Sequence, residues 1–130
     1  MIILTIRSDK PEAELGVYED NKRLAYTAWL AHRELAETIQ QKIDDILTEQ
    51  GKELADVQGI VAFQGPGSFT GLRIGLTVAN ALAYALDIPI VATSGEAWLE
   101  QGCKALKNGR NDRQAVPEYG SLPHITPPKS

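Results

Sequence analysis

Gln64-Gly-Pro-Gly-Ser-Phe-Thr-Gly71 constrains this chain more than any other stretch. An apolar run, Gly59-Ile-Val-Ala-Phe63, stops where it begins, and about fifteen residues broken only by Gly75 follow it, Leu72 to Leu86. Three glycines and a proline between an apolar run and a long breaker-free segment predict a strand, a tight turn and a helix.

The rest of the chain supplies a sheet for that unit. Met1 to Arg7, Ala13 to Tyr18 and Arg23 to Trp29 read as three strands joined by polar turns, an antiparallel meander. From Ala31 to Gln50 the period changes: Leu35, Ile39, Ile43, Ile46 and Leu47 fall at helical spacing, and Gly51 is a stop. Gly59 to Phe63 is the fourth strand and Asp87 to Ala92 the fifth. Thr93 and Glu96 have the spacing of a capping box, opening a last helix through about Leu106. Strand–helix–strand crossovers after a meander predict an α/β fold: a five-stranded mixed sheet with three flanking helices. That order is the ribonuclease-H-like lobe of actin-like ATPases. Residues 1–106 form this lobe, and residues 107–130 are read as an irregular proline-rich tail with Tyr119, Leu122 and Ile125 as isolated apolar anchors.

Composition limits the chemistry. A net charge of −4 argues against a broad nucleic-acid surface. The single cysteine, Cys103, permits no internal disulfide, and His32 and His124 lack metal-ligand spacing. No apolar run approaches a membrane span, so the expectation is a soluble, cytoplasmic protein with no membrane partner.

The glycine turn admits three readings. Gly65, Gly67, Ser68, Thr70 and Gly71 could free backbone N–H groups for an anion at the helix N-terminus, although neither phosphate-loop pattern is present and the turn has no lysine. Ser68 or Thr70 could be a nucleophile, with His32 as the base in the folded body; helix capping is the commoner role. The third reading is packing. Gly71, Gly75, Ala79 and Ala83 recur every four residues, a stripe where another backbone can come close. Arg73, Thr77, Asn80 and Tyr84 share one narrow polar strip, and the remaining positions are apolar. Such a helix is covered from more than one direction. Periodicity leaves open whether the neighbouring helix or a partner supplies the second cover.

The block Gln64-Gly-Pro-Gly-Ser-Phe-Thr-Gly-Leu-Arg-Ile-Gly75 resembles the signature of the TsaB (YeaZ-like) family, and the likeness continues through Ser94. It covers roughly Met1 to Gln101. The resemblance implies an actin-like paralogue that performs no chemistry: a dimerisation subunit for threonylcarbamoyladenosine synthesis in tRNA. It implies pairing with the catalytic threonylcarbamoyltransferase subunit through helices of this lobe, a small ATPase as a further partner, and tRNA met only indirectly. ATP and metal would belong to those partners, with no cofactor, metal or catalytic residue in this chain. The expected interface comprises Leu72, Gly75, Leu76, Ala79, Leu82 and Ala83 of the second helix, with Leu35, Ile39 and Ile43 of the first.

Two departures accompany the likeness. The family's first strand ends Ile-Asp-Thr-Ser, whereas Ile6-Arg7-Ser8 stands here, so the strand-end carboxylate of actin-like ATPases is replaced by Arg7. The family also carries another lobe, so this chain reads as a single-lobe member. The alternatives are a degenerate actin-like ATPase or peptidase-like enzyme, and a stand-alone homodimer formed by the small-residue stripe.

Overall fold

The computed structural model describes residues 1–31, 34–67 and 69–118. Strands β1 (Ile2–Arg7), β2 (Glu12–Glu19) and β3 (Lys22–Leu30) form the meander; then come α1 (Leu35–Glu49), β4 (Gly59–Phe63), α2 (Phe69–Leu86), β5 (Ile90–Thr93) and α3 (Trp98–Lys107). The sheet order is β3-β2-β1-β4-β5. β1 pairs antiparallel with β2 and parallel with β4, and β4 pairs parallel with β5. This is the ribonuclease-H-like topology.

Alternation along the strands sends side chains to two cores. Leu4, Ile6, Ile60, Ala62, Ile90 and Ala92 meet α1 and α2. Ile3, Val61, Phe63 and Val91 face the other way, toward Trp98, Cys103 and Leu106 of α3. Helix α1 buries Leu35, Ile39, Ile43, Ile46 and Leu47. Burying a side chain such as Ile43 contributes roughly 1.5–3 kcal/mol. Gly51, at φ 68°, ends α1 in the left-handed conformation that glycine tolerates.

Several boundaries differ from expectation. α2 begins at Phe69, three residues earlier. β5 begins at Ile90 rather than Asp87, because Asp87 takes a left-handed φ of 56° and Ile88 donates back to the Ala83 carbonyl, closing α2. The Thr93–Glu96 capping box does not form. Thr93 is the last residue of β5, its hydroxyl donates to the Trp98 carbonyl at 2.9 Å, and α3 starts only after the Gly95 turn, with Ala97 as an N-cap making no side-chain bond. A reciprocal cap does occur elsewhere, between Glu53 and Asp56 around a short 3-10 turn at Leu54–Asp56.

Of the tail, residues 108–118 run irregularly along the outer side of β5. Asn111 Oδ1 accepts from Ile90 N, Asp112 Oδ2 accepts from Ala92 N, and Asp112 N donates to the Ile90 carbonyl. Arg110 reaches the Ala92 carbonyl at 3.1 Å. Further on, the Asn80 side chain clamps both backbone groups of Ala115, and Glu118 N donates to the Gln64 carbonyl. Side chains here satisfy a strand edge that, among the described residues, no further strand covers. Tyr119, Leu122, His124 and Ile125 lie outside the described residues.

Candidate functional site: the glycine turn and the outer face of α2

The glycine turn sits at the carboxyl end of β4, pressed against the turn that follows β1. Asp9 occupies the space where a side chain on Gly67 would go, and Ser8 occupies the space beside Gly75. Ser8 Oγ donates to the Gly71 carbonyl at 2.8 Å, tying the β1–β2 turn to the first turn of α2. Close backbone approach is thus what Gly67 and Gly75 provide.

Beside this contact Arg7 and Asp9 form a two-pronged ion pair, Nε to Oδ1 at 2.7 Å and Nη2 to Oδ2 at 3.2 Å. The Asp9 side chain retains only 7% exposure. The Arg7 guanidinium lies 3.9 Å from the Phe63 ring centroid, and Phe63 meets Trp98 edge-on at 5.5 Å. The hydrogen bond to Asp9 pushes the Arg7 pKa up, against the opposing effect of burial. A permanent cation stacked on an aromatic ring and forked onto a buried carboxylate is a fixed structural unit.

Of the turn residues expected at an anion site, Gly67 lines this packed junction, Gly65 lies against the Glu118 backbone and Leu72, Gly71 accepts from Ser8, and Thr70 is exposed in the first turn of α2. Ser68 lies outside the described residues, as does His32, its candidate base.

The expected interface residues are placed inside the chain's own core. Leu72, Leu76, Ala79, Leu82 and Ala83 of α2, and Leu35, Ile39 and Ile43 of α1, are all buried in one cluster, and Gly75 is buried against Ser8 and Ile6. The small-residue stripe therefore brings α2 close to its own sheet, and a homodimer through that stripe would need the domain to open. This corrects the choice of residues. At 100° per residue Arg73, Thr77, Ala81, Tyr84 and Ala85 lie on the side away from the sheet, and Ile74 and Val78 border them while packing partly against the core. Ala81 and Ala85 are exposed, Ile74 and Val78 half-buried, and Tyr84 is 90% exposed. Ala36 of α1 joins Thr70, Arg73, Ile74, Thr77 and Val78 around a shallow groove of about 400 Å³. Asn80 leaves the expected polar strip for its bond to Ala115.

A second hollow of about 600 Å³ lies on the other side of the sheet, between Ile3, Tyr18 and the α3 residues Leu99, Cys103 and Lys104. Burial pushes the Cys103 thiol pKa up. Among the described residues no three His, Cys, Asp or Glu side chains converge as metal ligands, and no helix is long and apolar enough to cross a membrane.

The family model described as TsaD, tRNA N6-adenosine threonylcarbamoyltransferase, matches residues 29–109. The tRNA threonylcarbamoyladenosine biosynthesis protein TsaB of Escherichia coli strain K12 is 34% identical over 109 residues, which is 84% of this chain and 46% of that protein. The solved structure of YeaZ from Pseudomonas aeruginosa superposes with a TM-score of 0.68 at 29% identity, covering 82% of this chain and 48% of its own. This chain belongs to the TsaB (YeaZ-like) family. A tRNA N6-adenosine threonylcarbamoyltransferase of Syntrophotalea carbinolica is also similar, 30% identical over 70% of this chain and 31% of the relative. The TsaB-like chain thus spans less than half the length of the curated relatives it matches.

The TsaB-type glycine signature was legible in the sequence, but the Arg7–Asp9 pair and the Asn80 and Asp112 anchors were not. Asp9 follows a strand end and reads as an ordinary turn residue; only its two-residue spacing from Arg7 hinted at a pair.

Proposed function

We propose that this chain is a non-catalytic scaffold subunit for tRNA threonylcarbamoyladenosine synthesis. It pairs with the catalytic actin-like paralogue through the outer face of α2 and the α1–α2 groove. The observation that carries this reading is the apolar stripe Ile74, Val78, Ala81 and Ala85 of α2, in which Ala81 and Ala85 are exposed and Ile74 and Val78, half-buried against the core, line the groove beside α1. A flat, small-residue helix face with a groove beside it suits packing against another helix. The relatives' names supply the pathway.

The residues at the end of β1 do not fit a metal-bound nucleotide. Arg7 stands at the strand end, and Asp9 is committed to it. This supports assigning ATP, metal and group transfer to the partners: the catalytic subunit and a small ATPase. With a net charge of −4 the chain meets tRNA through those partners, in the cytoplasm. The scaffold acts by burying partner surface and favouring its active conformation.

Affinity measurement tests the pairing. Immobilised catalytic paralogue should capture this chain, and Ala81→Glu, which places an unpaired charge at the centre of the face, should weaken capture at least tenfold. Unchanged capture by Ala81→Glu would remove α2 from the interface.

A further inference from the structure

We propose that the hollow between α3 and strands β1 and β2 is a binding site for a small carboxylate with an apolar body, of the medium-chain fatty acid type. The hollow lies on the opposite side of the sheet from the α1–α2 groove, so the site is independent of the scaffold role.

The way α3 sits creates this space. Gly102 brings the helix backbone down onto β4, where any side chain at position 102 would overlap Val61. Trp98, Cys103 and Leu106 pack there with Val61, Phe63 and Val91. The helix is therefore held over β4 and β5. Ile3 of β1 and Tyr18 of β2, paired across the two strands, line the space left beside it. The β2–β3 turn closes one end: Asp20, at φ 58°, accepts from the Met1 amine at 3.1 Å and donates its N–H to the Met1 carbonyl at 2.9 Å. The resulting volume of about 600 Å³ falls within the range of about 300–1,000 Å³ usual for small-ligand sites.

The lining separates an apolar interior from a charged rim. Ile3 is 1% and Tyr18 9% exposed, Cys103 is buried and Leu99 half-buried. Burial pushes the pKa of both the Tyr18 phenol and the Cys103 thiol up, so these walls stay uncharged at neutral pH. Glu100, Lys104 and Lys107 follow Leu99 and Cys103 at helical spacing, on the same face of α3, and stand exposed along the rim. Asp20 is matched by the Met1 ammonium. Among the described residues neither lysine joins an ion pair. Two lysines against one glutamate give this rim a positive excess, although the whole chain carries a net charge of −4. An apolar body gains by leaving water for the interior, and a carboxylate gains from the lysines. A cationic head would meet them as like charges.

Calorimetric titration with decanoate, held below its micelle concentration, tests this. Decanoate should bind saturably, and decyltrimethylammonium, an apolar chain of the same length with the opposite charge, should bind at least tenfold more weakly. Leu99→Trp, which fills the hollow, should abolish decanoate binding. Lys104→Ser with Lys107→Ser, at exposed positions, should weaken it at least fivefold with an unchanged circular dichroism spectrum. Saturating decanoate should also slow alkylation of Cys103 at least threefold. Absence of saturable decanoate binding, equal affinity for the two amphiphiles, or undiminished binding by the double lysine variant would overturn the proposal.

Discussion

Gly75 of α2 lies against Ser8 of the β1–β2 turn so closely that a methyl group at position 75 would overlap the Ser8 hydroxyl. The contact fixes how deeply α2 sits on the sheet and which of its faces is left outside. Gly75→Ala should destabilise the chain by about 1–3 kcal/mol, the usual cost of overpacking. Because Ser8 is the obstacle, Ser8→Gly in the same chain should recover part of that loss. Urea denaturation of the two single variants and the double variant gives the coupling.

Arg7 and Asp9 make a second prediction. Removing the guanidinium leaves a nearly buried carboxylate without its partner, so Arg7→Ala should cost about 1–3 kcal/mol. Replacing both residues, Arg7→Leu with Asp9→Ala, should cost less than the sum of the single changes. The same denaturation series reads both.

Much of the architecture was legible in the sequence because its signals are local. The glycine block announced its turn, the period of α1 announced its buried face, and alternation announced the strands. What was not legible depends on positions brought together across the chain. Gly75 and Ala79 read equally well as a surface stripe or a sheet-facing one, and only the nearness of Ser8 decides between them. The Thr93–Glu96 pattern matched a cap, but Thr93 belongs to the sheet and its hydroxyl serves Trp98 instead. The β5 anchors at Asn111 and Asp112 look like ordinary turn residues until the strand edge is seen beside them.

Asp112 sets a pH dependence. The hydrogen bond from Arg110 lowers its pKa first, with the bond from Ala92 N adding to this against the effect of partial burial. Because folding depresses this pKa, the stabilisation is fully present above the ordinary aspartate range. It is lost as pH falls through the lowered folded value. Asp112→Asn should therefore be less stable than the unmodified chain near neutral pH, and the gap should narrow in acid below the ordinary aspartate range. Thermal unfolding across that range checks the sign.

Cys103 should be a slow thiol. It is 7% exposed, and burial raises its pKa, so little thiolate is available at mild alkaline pH. Alkylation by iodoacetamide at pH 8 should run well below the rate of a free cysteine and should accelerate once denaturant opens the α3 layer.

The scaffold reading is tested most directly by reconstituting threonylcarbamoyladenosine formation on tRNA from the catalytic subunit and the small ATPase, with and without this chain. The account predicts that product formation depends on the chain, survives Arg7→Leu with Asp9→Ala if the fold is retained, and falls at least tenfold with Ala81→Glu. Undiminished product in the absence of the chain would contradict it.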